Sequence, residues 1–185
     1  MVIYDKYDSP LGRILVGADE LGLASLWFED TPEETVPVET GAERPVSRTE
    51  QEAAEAILAR TKEWLRRYFA GEEPGELPPV HVNGSVFQQE VWSEIARIPY
   101  GATVTYGDIA RRIAARRGIP RMAAQAVGGA VGSNPVSLVV PCHRVVGKDG
   151  ALVGYGGGLD RKKALLELEK EASEKLSSRE AEGLT

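Results

Sequence analysis

The sequence predicts an α+β fold. A small N-terminal antiparallel sheet with one helix across it comes first. A mainly helical part with a helix-turn-helix pattern follows and carries the lone cysteine. Three observations lead there. β-formers and turn residues alternate through the first 28 positions. Two capping boxes, Ser47-Arg48-Thr49-Glu50 and Ser85-Val86-Phe87-Gln88, each open an apolar run at helical spacing. Between those runs, Gly71 to Pro79 is a Pro/Gly/Glu stretch of linker composition.

In order, Val2–Tyr4, Arg13–Val16 and Leu23–Phe28 read as strands, with turns at Ser9-Pro10-Leu11-Gly12 and Asp19-Glu20-Leu21-Gly22. Glu29 to Pro45 is an acidic, proline-bearing connection. After Ser47, the residues Ile57, Thr61, Trp64, Leu65 and Tyr68 share one helix face until Gly71 stops the run. A first unit over 1–79 is expected, then a second over 80–172 and a polar, frayed tail over 173–185. In the second unit, Phe87, Val91, Ile95 and Ile98 form a stripe ended by Pro99-Tyr100-Gly101. A helix is expected over Tyr106–Ala115 with Asp108 as its cap. Another is expected over Arg121–Val131, because Pro120 suits a first helical position. Ser137–Val140 reads as a short strand. A last helix starts near Leu159, with Leu165, Leu168 and Leu176 on one side. Trp27, Trp64 and Trp92 lie in apolar stripes and are assigned to the core. His81 and the Arg161-Lys162-Lys163 run are expected in solvent.

Hydrophobic residues make up 42% of the 185, enough for a real core. No apolar run approaches the roughly 20 residues of a membrane span, and the start has no signal-peptide pattern. One cysteine cannot close an internal disulfide, so a reducing compartment is expected. One cysteine and two histidines do not suit a structural zinc site. The net charge of −6 argues against a polyanionic partner, but its distribution does not. Asp19–Glu76 holds 15 acidic and 6 basic residues, whereas Arg97–Arg121 holds six arginines and a single acid, Asp108. Such a run serves either as a nucleic-acid face or as a solvated helix surface.

The helix-turn-helix pattern allows either DNA binding or plain helix packing. Its second helix, Met122-Ala123-Ala124-Gln125-Ala126-Val127-Gly128-Gly129-Ala130, is smooth enough to approach a groove. Pro141-Cys142-His143-Arg144-Val145 carries the chemistry. A thiolate is the nucleophile, and a free thiol near pKa ~8.5 needs help to ionise at neutral pH. His143, directly or through water, can take that proton, and a carboxylate behind its ring would orient it. Spacing alone leaves that carboxylate open.

From these residues onward the sequence resembles the O6-alkylguanine-DNA alkyltransferases. The matching text is Phe87-Gln88-Gln89-Glu90-Val91-Trp92, Ile98–Ala110, Ala126–Ala130, Asn134-Pro135, Pro141–Val145, Gly154–Leu159 and Leu165–Glu169. It is strong over about 85–170 and a matter of character before that. The resemblance implies a ribonuclease-H-like first unit and a winged-helix-like second one. It implies stoichiometric, irreversible transfer of an alkyl group from O6-alkylguanine, and from O4-alkylthymine as a second substrate, in flipped-out nucleotides of double-stranded DNA. It implies no cofactor, a monomer, and a cytoplasmic location with access to the DNA.

Position by position, the resemblance makes Cys142 the acceptor, His143 the water-linked base and Glu169 the carboxylate of the relay. Asn134 braces the turn before the cysteine. The Tyr106 hydroxyl approaches guanine N3 and the rotated phosphate. Carbonyls of Cys142 and Val145 face the exocyclic amine, and the Gly156 amide faces O6. Tyr155, Arg144, Ala126 and Gly128 join the residues expected to meet substrate or DNA. Gln125 stands where many relatives have an arginine that fills the gap left by the flipped base. Arg121, one turn earlier on the same helix face, is expected to compensate in part. Gly156 and Ser137 replace a serine and a proline found in some relatives, which bears on the bulk of group accepted. Three rival readings differ in class: a non-catalytic alkylated-lesion binder, a helix-turn-helix regulator and a Cys-His hydrolase. Cys142 argues against the first, the Cys-His pair against the second, and the lack of any sign of an oxyanion hole against the third.

Overall fold

The computed structural model describes residues 1–32, 47–72 and 74–183, with side chains as far as Ser178. Most of the acidic connection after Glu29 lies outside the described residues. The chain runs β1 (Ile3–Ser9), β2 (Gly12–Ala18), β3 (Leu23–Phe28), α1 (Arg48–Phe69), α2 (Val86–Ala96), β4 (Val104–Thr105), α3 (Tyr106–Arg117), α4 (Ala124–Gly132), β5 (Val145–Val146) and α5 (Leu159–Gly183).

Strands β1–β3 form an antiparallel sheet in sequence order. Pro10 and Leu11 make a two-residue hairpin between β1 and β2, and Ser9 pairs with Gly12 across it. Strand β1 is longer than its apolar residues suggest. Its outer positions are polar and exposed, and Asp5 and Lys6 hold it by ion pairs to Lys62 and Glu29. Asp19 turns the chain into β3 by accepting the amides of Leu21 and Gly22. Both predicted capping boxes are present, at Ser47/Glu50 and Ser85/Gln88, and Thr105/Asp108 forms a third. On α1 the buried face is Ala54, Leu58, Thr61, Trp64, Leu65 and Tyr68, which packs on β1 and β2.

The free edge of β3 joins the two halves. Leu23 exchanges backbone hydrogen bonds with Pro79 and His81, and Leu26 with Pro135 and Ser137, at 2.7–2.9 Å. Covering an edge strand removes its unpaired amides and carbonyls from solvent. One apolar core runs continuously from Ile14, Leu26 and Phe28 through Val91 and Ile95 to Ile109, Val127 and Leu165. Trp64 and Trp92 are buried in it, and Trp27 is half-buried.

Several expectations are corrected. Ser137–Val140 is not a strand. It winds into a turn closed by Val140 N–H to the Val136 carbonyl (3.0 Å), with Leu138 at φ 70°. A short, wholly apolar run has no periodicity that separates a strand from a buried turn. Helix α4 begins at Ala124, not Arg121. Gly118 ends α3 in the left-handed conformation, and Met122 packs on the core from extended chain. Arg121 therefore lies outside the helix, and the shared helix face expected for it and Gln125 does not exist. The expected frayed tail is helical through Gly183. The parallel pair β4–β5, which no sequence pattern announced, joins the start of α3 to the residue after Arg144.

Candidate active site

Cys142 opens a single 3-10 turn, Cys142–Arg144, directly after Pro141. Asn134 fixes the approach to it. Its side-chain amide donates to the Val140 carbonyl (2.7 Å) and its oxygen accepts the Val136 amide (3.1 Å). Cys142 is 6% exposed, and its sulfur lies 3.9 Å from the Ser137 hydroxyl. Burial pushes the thiol pKa up, while Asn134, Ser137 and the positive charge of Lys162 pull the other way.

Behind the sulfur, His143 is wholly buried, with Nε2 2.6 Å from Glu169 Oε1. Glu169 has five donors. Oε1 takes His143, the Tyr68 hydroxyl (2.7 Å) and Arg144 Nη2 (2.9 Å). Oε2 takes Arg144 Nε (2.8 Å) and the Gly101 amide (3.0 Å). Burial alone would raise the Glu169 pKa, but His143 and Arg144 bring it down to about 2. A carboxylate that only accepts requires the proton on Nε2, leaving Nδ1 as the basic nitrogen. Nδ1 is buried and bonds no protein group. Burial lowers the His143 pKa, with Glu169 opposing, so the ring favours its neutral, proton-accepting form. Gly101 has φ +77°, and a Cβ there would collide with the Ser173 hydroxyl, so only glycine offers its amide to Glu169 from this turn.

A cavity of about 270 Å³ opens in front of the sulfur. Asn134, Ser137, Tyr106, Gly128, Tyr155 and Gly156 line it together with Cys142. It adjoins a larger groove of about 1080 Å³, which shares Tyr106, Gly128 and Gly154 with it and runs along Ala124, Gln125 and Gly129 of α4. Arg111 and Lys148 stand on that groove. The Tyr106 hydroxyl donates to the Val153 carbonyl at 3.2 Å.

Cys142, Asn134, Tyr106, Tyr155, Gly156 and Gly128 thus share the cavity, His143 and Glu169 back it, and Gln125 faces the groove. Other expected site residues fall elsewhere. Arg144 is buried, bound to Glu169 and to the Ile98 carbonyl (2.7 Å), so it meets the relay and not DNA. Ala126 is exposed but lines neither space, and neither does Arg121. The arginine run is largely self-contained. Arg97, Arg112 and Arg116 converge on the buried Glu94, while Arg117 pairs with Glu90 and Arg111 with Asp108. Its main work is to pin α2 to α3.

Two participants escaped the sequence reading. Lys162, expected in solvent, has no exposed surface. Its Nζ donates to the carbonyls of Val145 (2.6 Å), Val153 (2.8 Å) and Gly154 (3.1 Å). It ties β5 to the cavity wall. Among the described residues of α5, Lys162, Leu165, Glu169 and Ala172 are the buried ones and share one helix face, a spacing that could have revealed both charged groups. Tyr68, read as core, reaches Glu169 from the N-terminal half. Arg161 also leaves solvent, donating to the Leu11 carbonyl and bidentately to Asp30. His81 is half-exposed, with Nδ1 2.6 Å from Asp19 Oδ2.

Comparison with known proteins gives this geometry its context. Residues 86–171 match the family model described as 6-O-methylguanine DNA methyltransferase, DNA binding domain, and residues 2–77 match its ribonuclease-like domain. A methylated-DNA–protein-cysteine methyltransferase of Haemophilus influenzae is 39% identical over 90% of this chain and 86% of its own length. The protein of that name from Mycobacterium tuberculosis is 41% identical over 92% and 93%. The crystal structure of Mycobacterium tuberculosis OGT in complex with DNA superposes with a TM-score of 0.73 at 38% identity, covering 91% of this chain and 93% of that one. The chain, with its cysteine turn backed by a buried histidine and glutamate, therefore belongs to the methylated-DNA–protein-cysteine methyltransferase family.

Proposed function

We propose that the protein repairs O6-alkylguanine in double-stranded DNA by moving the alkyl group to Cys142, once per molecule. The observation that carries this reading is a single cysteine lining a cavity, followed directly by a buried His143 paired with Glu169. His143 Nδ1 takes the thiol proton. Since sulfur and ring make no direct hydrogen bond, the proton passes through water. The sulfur attacks the O-alkyl carbon, the carbon–O6 bond breaks, and its electron pair stays on guanine, which recovers a proton. A thioether does not hydrolyse under mild conditions, so the protein is consumed.

By family resemblance, the Tyr106 hydroxyl serves N3, the Gly156 amide serves O6, and the carbonyls of Cys142 and Val145 hold the exocyclic amine. Donors at N3 and O6 stabilise the charge that develops on the leaving base. The Val145 carbonyl already accepts from Lys162 and has a second lone pair to offer. The nucleotide must leave the stack to reach Cys142, at a cost of a few kcal/mol, and Gln125 on the groove is placed to occupy the gap. No described helix is long and apolar enough to cross a membrane. The lone thiol fits the reducing compartment that holds the DNA.

The test is a duplex carrying one labelled O6-methylguanine. Stoichiometric label on Cys142, absent in Cys142→Ala, is the expected result. Tight lesion binding without transfer would instead make the protein a lesion binder, and lesion-independent, sequence-selective binding a regulator.

A further inference from the structure

Gly156, Gly157 and Gly158 follow one another in the chain, and the first two line the cavity. Glycine loses more conformational freedom on ordering than any other residue, so such a run does not fix its own amides. The Gly158 amide closes it into a turn by donating to the Tyr155 carbonyl (2.9 Å). Two neighbours in the first turn of α5 then hold the flanks. Lys162 donates to the Gly154 carbonyl (3.1 Å), and Arg161 Nη1 to the Gly157 carbonyl (3.1 Å). Arg161 is itself anchored on the N-terminal half. Its Nη1 and Nη2 fork onto the two Asp30 oxygens, both at 2.8 Å, and its Nε donates to the Leu11 carbonyl in the β1–β2 hairpin (2.8 Å). The guanidinium also lies 4.3 Å from the centre of the Phe28 ring, at the end of β3. A Cβ on Gly12 would come within 2.9 Å of Nη2, so the bare hairpin glycine lets the guanidinium in. One side chain thus joins three points around the N-terminal sheet to the glycine turn.

Resting on the repair reading above, we propose that Arg161 is a positioning residue for the transfer. It carries the hold of the N-terminal sheet to the Tyr155–Gly158 turn and so sets where the Gly156 amide meets O6. Arg161 does not line the cavity, so it acts through the turn and not on the base. Its planar fork matters. A guanidinium presents several fixed donors at once, which a lysine or a neutral amide in its place does not. Released from Arg161, three glycines in succession let the Gly156 amide drift from the departing oxygen. A displacement of about 1 Å at a reacting centre is worth up to about a hundredfold in rate. The bonding change is that of methyl transfer: carbon–sulfur forms, carbon–O6 breaks, the thiol proton ends on guanine, and the guanidinium exchanges no proton.

Two duplexes decide it, one with O6-methylguanine and one with S6-methyl-6-thioguanine. Sulfur is a weak hydrogen-bond acceptor, so a donor aimed at position 6 matters less when sulfur leaves. Single-turnover transfer to Cys142 is followed by mass spectrometry over a range of protein concentrations, which separates the maximal rate from half-saturation. We expect Arg161→Gln to lower the maximal rate from O6-methylguanine about tenfold, less than the ~10²–10³ of deleting such a donor outright. The thio duplex should slow by no more than about twofold, and half-saturation should hold for both. Asp30→Asn, at an exposed residue outside the cavity, loosens the anchor and leaves the turn intact. It should give the same oxygen-selective loss at smaller size. Rates are read in variants shown to be folded by circular dichroism, and Asp30→Asn decides alone should Arg161→Gln not fold. Equal slowing of the two duplexes, no slowing, or a change in half-saturation alone overturns the positioning role while wild-type transfer persists. No transfer by the wild type from the O6-methyl duplex overturns the repair reading and this role with it.

Discussion

A carboxylate with no exposed surface survives only if each oxygen is paired, and Glu169 achieves this with donors from three separate segments, the Tyr68 helix, the Gly101 turn and the cysteine turn. Its folded pKa of about 2 lies below the usual value of 4.5, so its contribution is full above pH 4.5 and fades as pH falls through about 2. The linkage is worth roughly 3 kcal/mol. His143 adds to acid sensitivity with the same sign. Its pKa is lowered on folding, so stability falls as pH drops below the ordinary value of 6.5. Glu169→Gln should lose about 3–5 kcal/mol at neutral pH, because Arg144 is left buried without its counter-charge. It should also flatten the acid limb between pH 4.5 and 2. Chemical unfolding across pH checks both. Tyr68→Phe removes one donor to Glu169 without changing shape. We expect about 1–2 kcal/mol lower stability and a severalfold slower methyl transfer, measured by urea unfolding and single-turnover assay. The raised thiol pKa implies that wild-type transfer accelerates with pH across the neutral range.

At the scale of elements, α5 supplies two charged groups from one buried face, Lys162 to the cavity wall and Glu169 to the relay. Lys162→Met keeps the stem but deprives three carbonyls of their donor. Transfer should fall at least tenfold, with amide exchange accelerated at residues 145–154, whereas a merely solvated lysine would leave both unchanged. The α2–α3 pair depends on Glu94. Glu94→Gln leaves three half-exposed arginines facing a neutral group, and we expect a loss of about 1 kcal/mol in chemical denaturation, shrinking with salt. The capping boxes were legible because they rest on local side-chain-to-backbone bonds. The start of α4 was not, because Met122 docking on the core outweighs the helical preference of Pro120. The turn at 137–140 was not legible either, since only its contacts with Leu26 and Asn134 define it.

Across the whole molecule, the N-terminal half is part of the site. Tyr68 meets Glu169, Phe28 and Thr31 line the cavity, and β3 holds the segment Pro135–Ser137 that leads into the cysteine turn. A fragment over 80–185 should lack cooperative unfolding in calorimetry, since its core face would be left open to water. Charge at this scale is modest. With a net charge of −6 and most helix-turn-helix arginines already paired, few cations remain for phosphates. DNA affinity should therefore fall with salt at a slope of magnitude about 2–4 on logarithmic axes, not near 10.

What the sequence determined alone is whatever depends on near neighbours in the chain or on an ordered run of residue types. That covers the three strands, the capped helix starts, the family, and the Cys-His pair. What only the tertiary structure decided depends on residues far apart in sequence meeting in a medium that cannot tolerate unpaired charge. Burial drew Arg144 and Lys162 inward, turned the arginine run onto Glu94, and gave Tyr68 a partner a hundred and one residues away. No local pattern encodes those pairings, because the free energy that selects them arises only once water has been excluded.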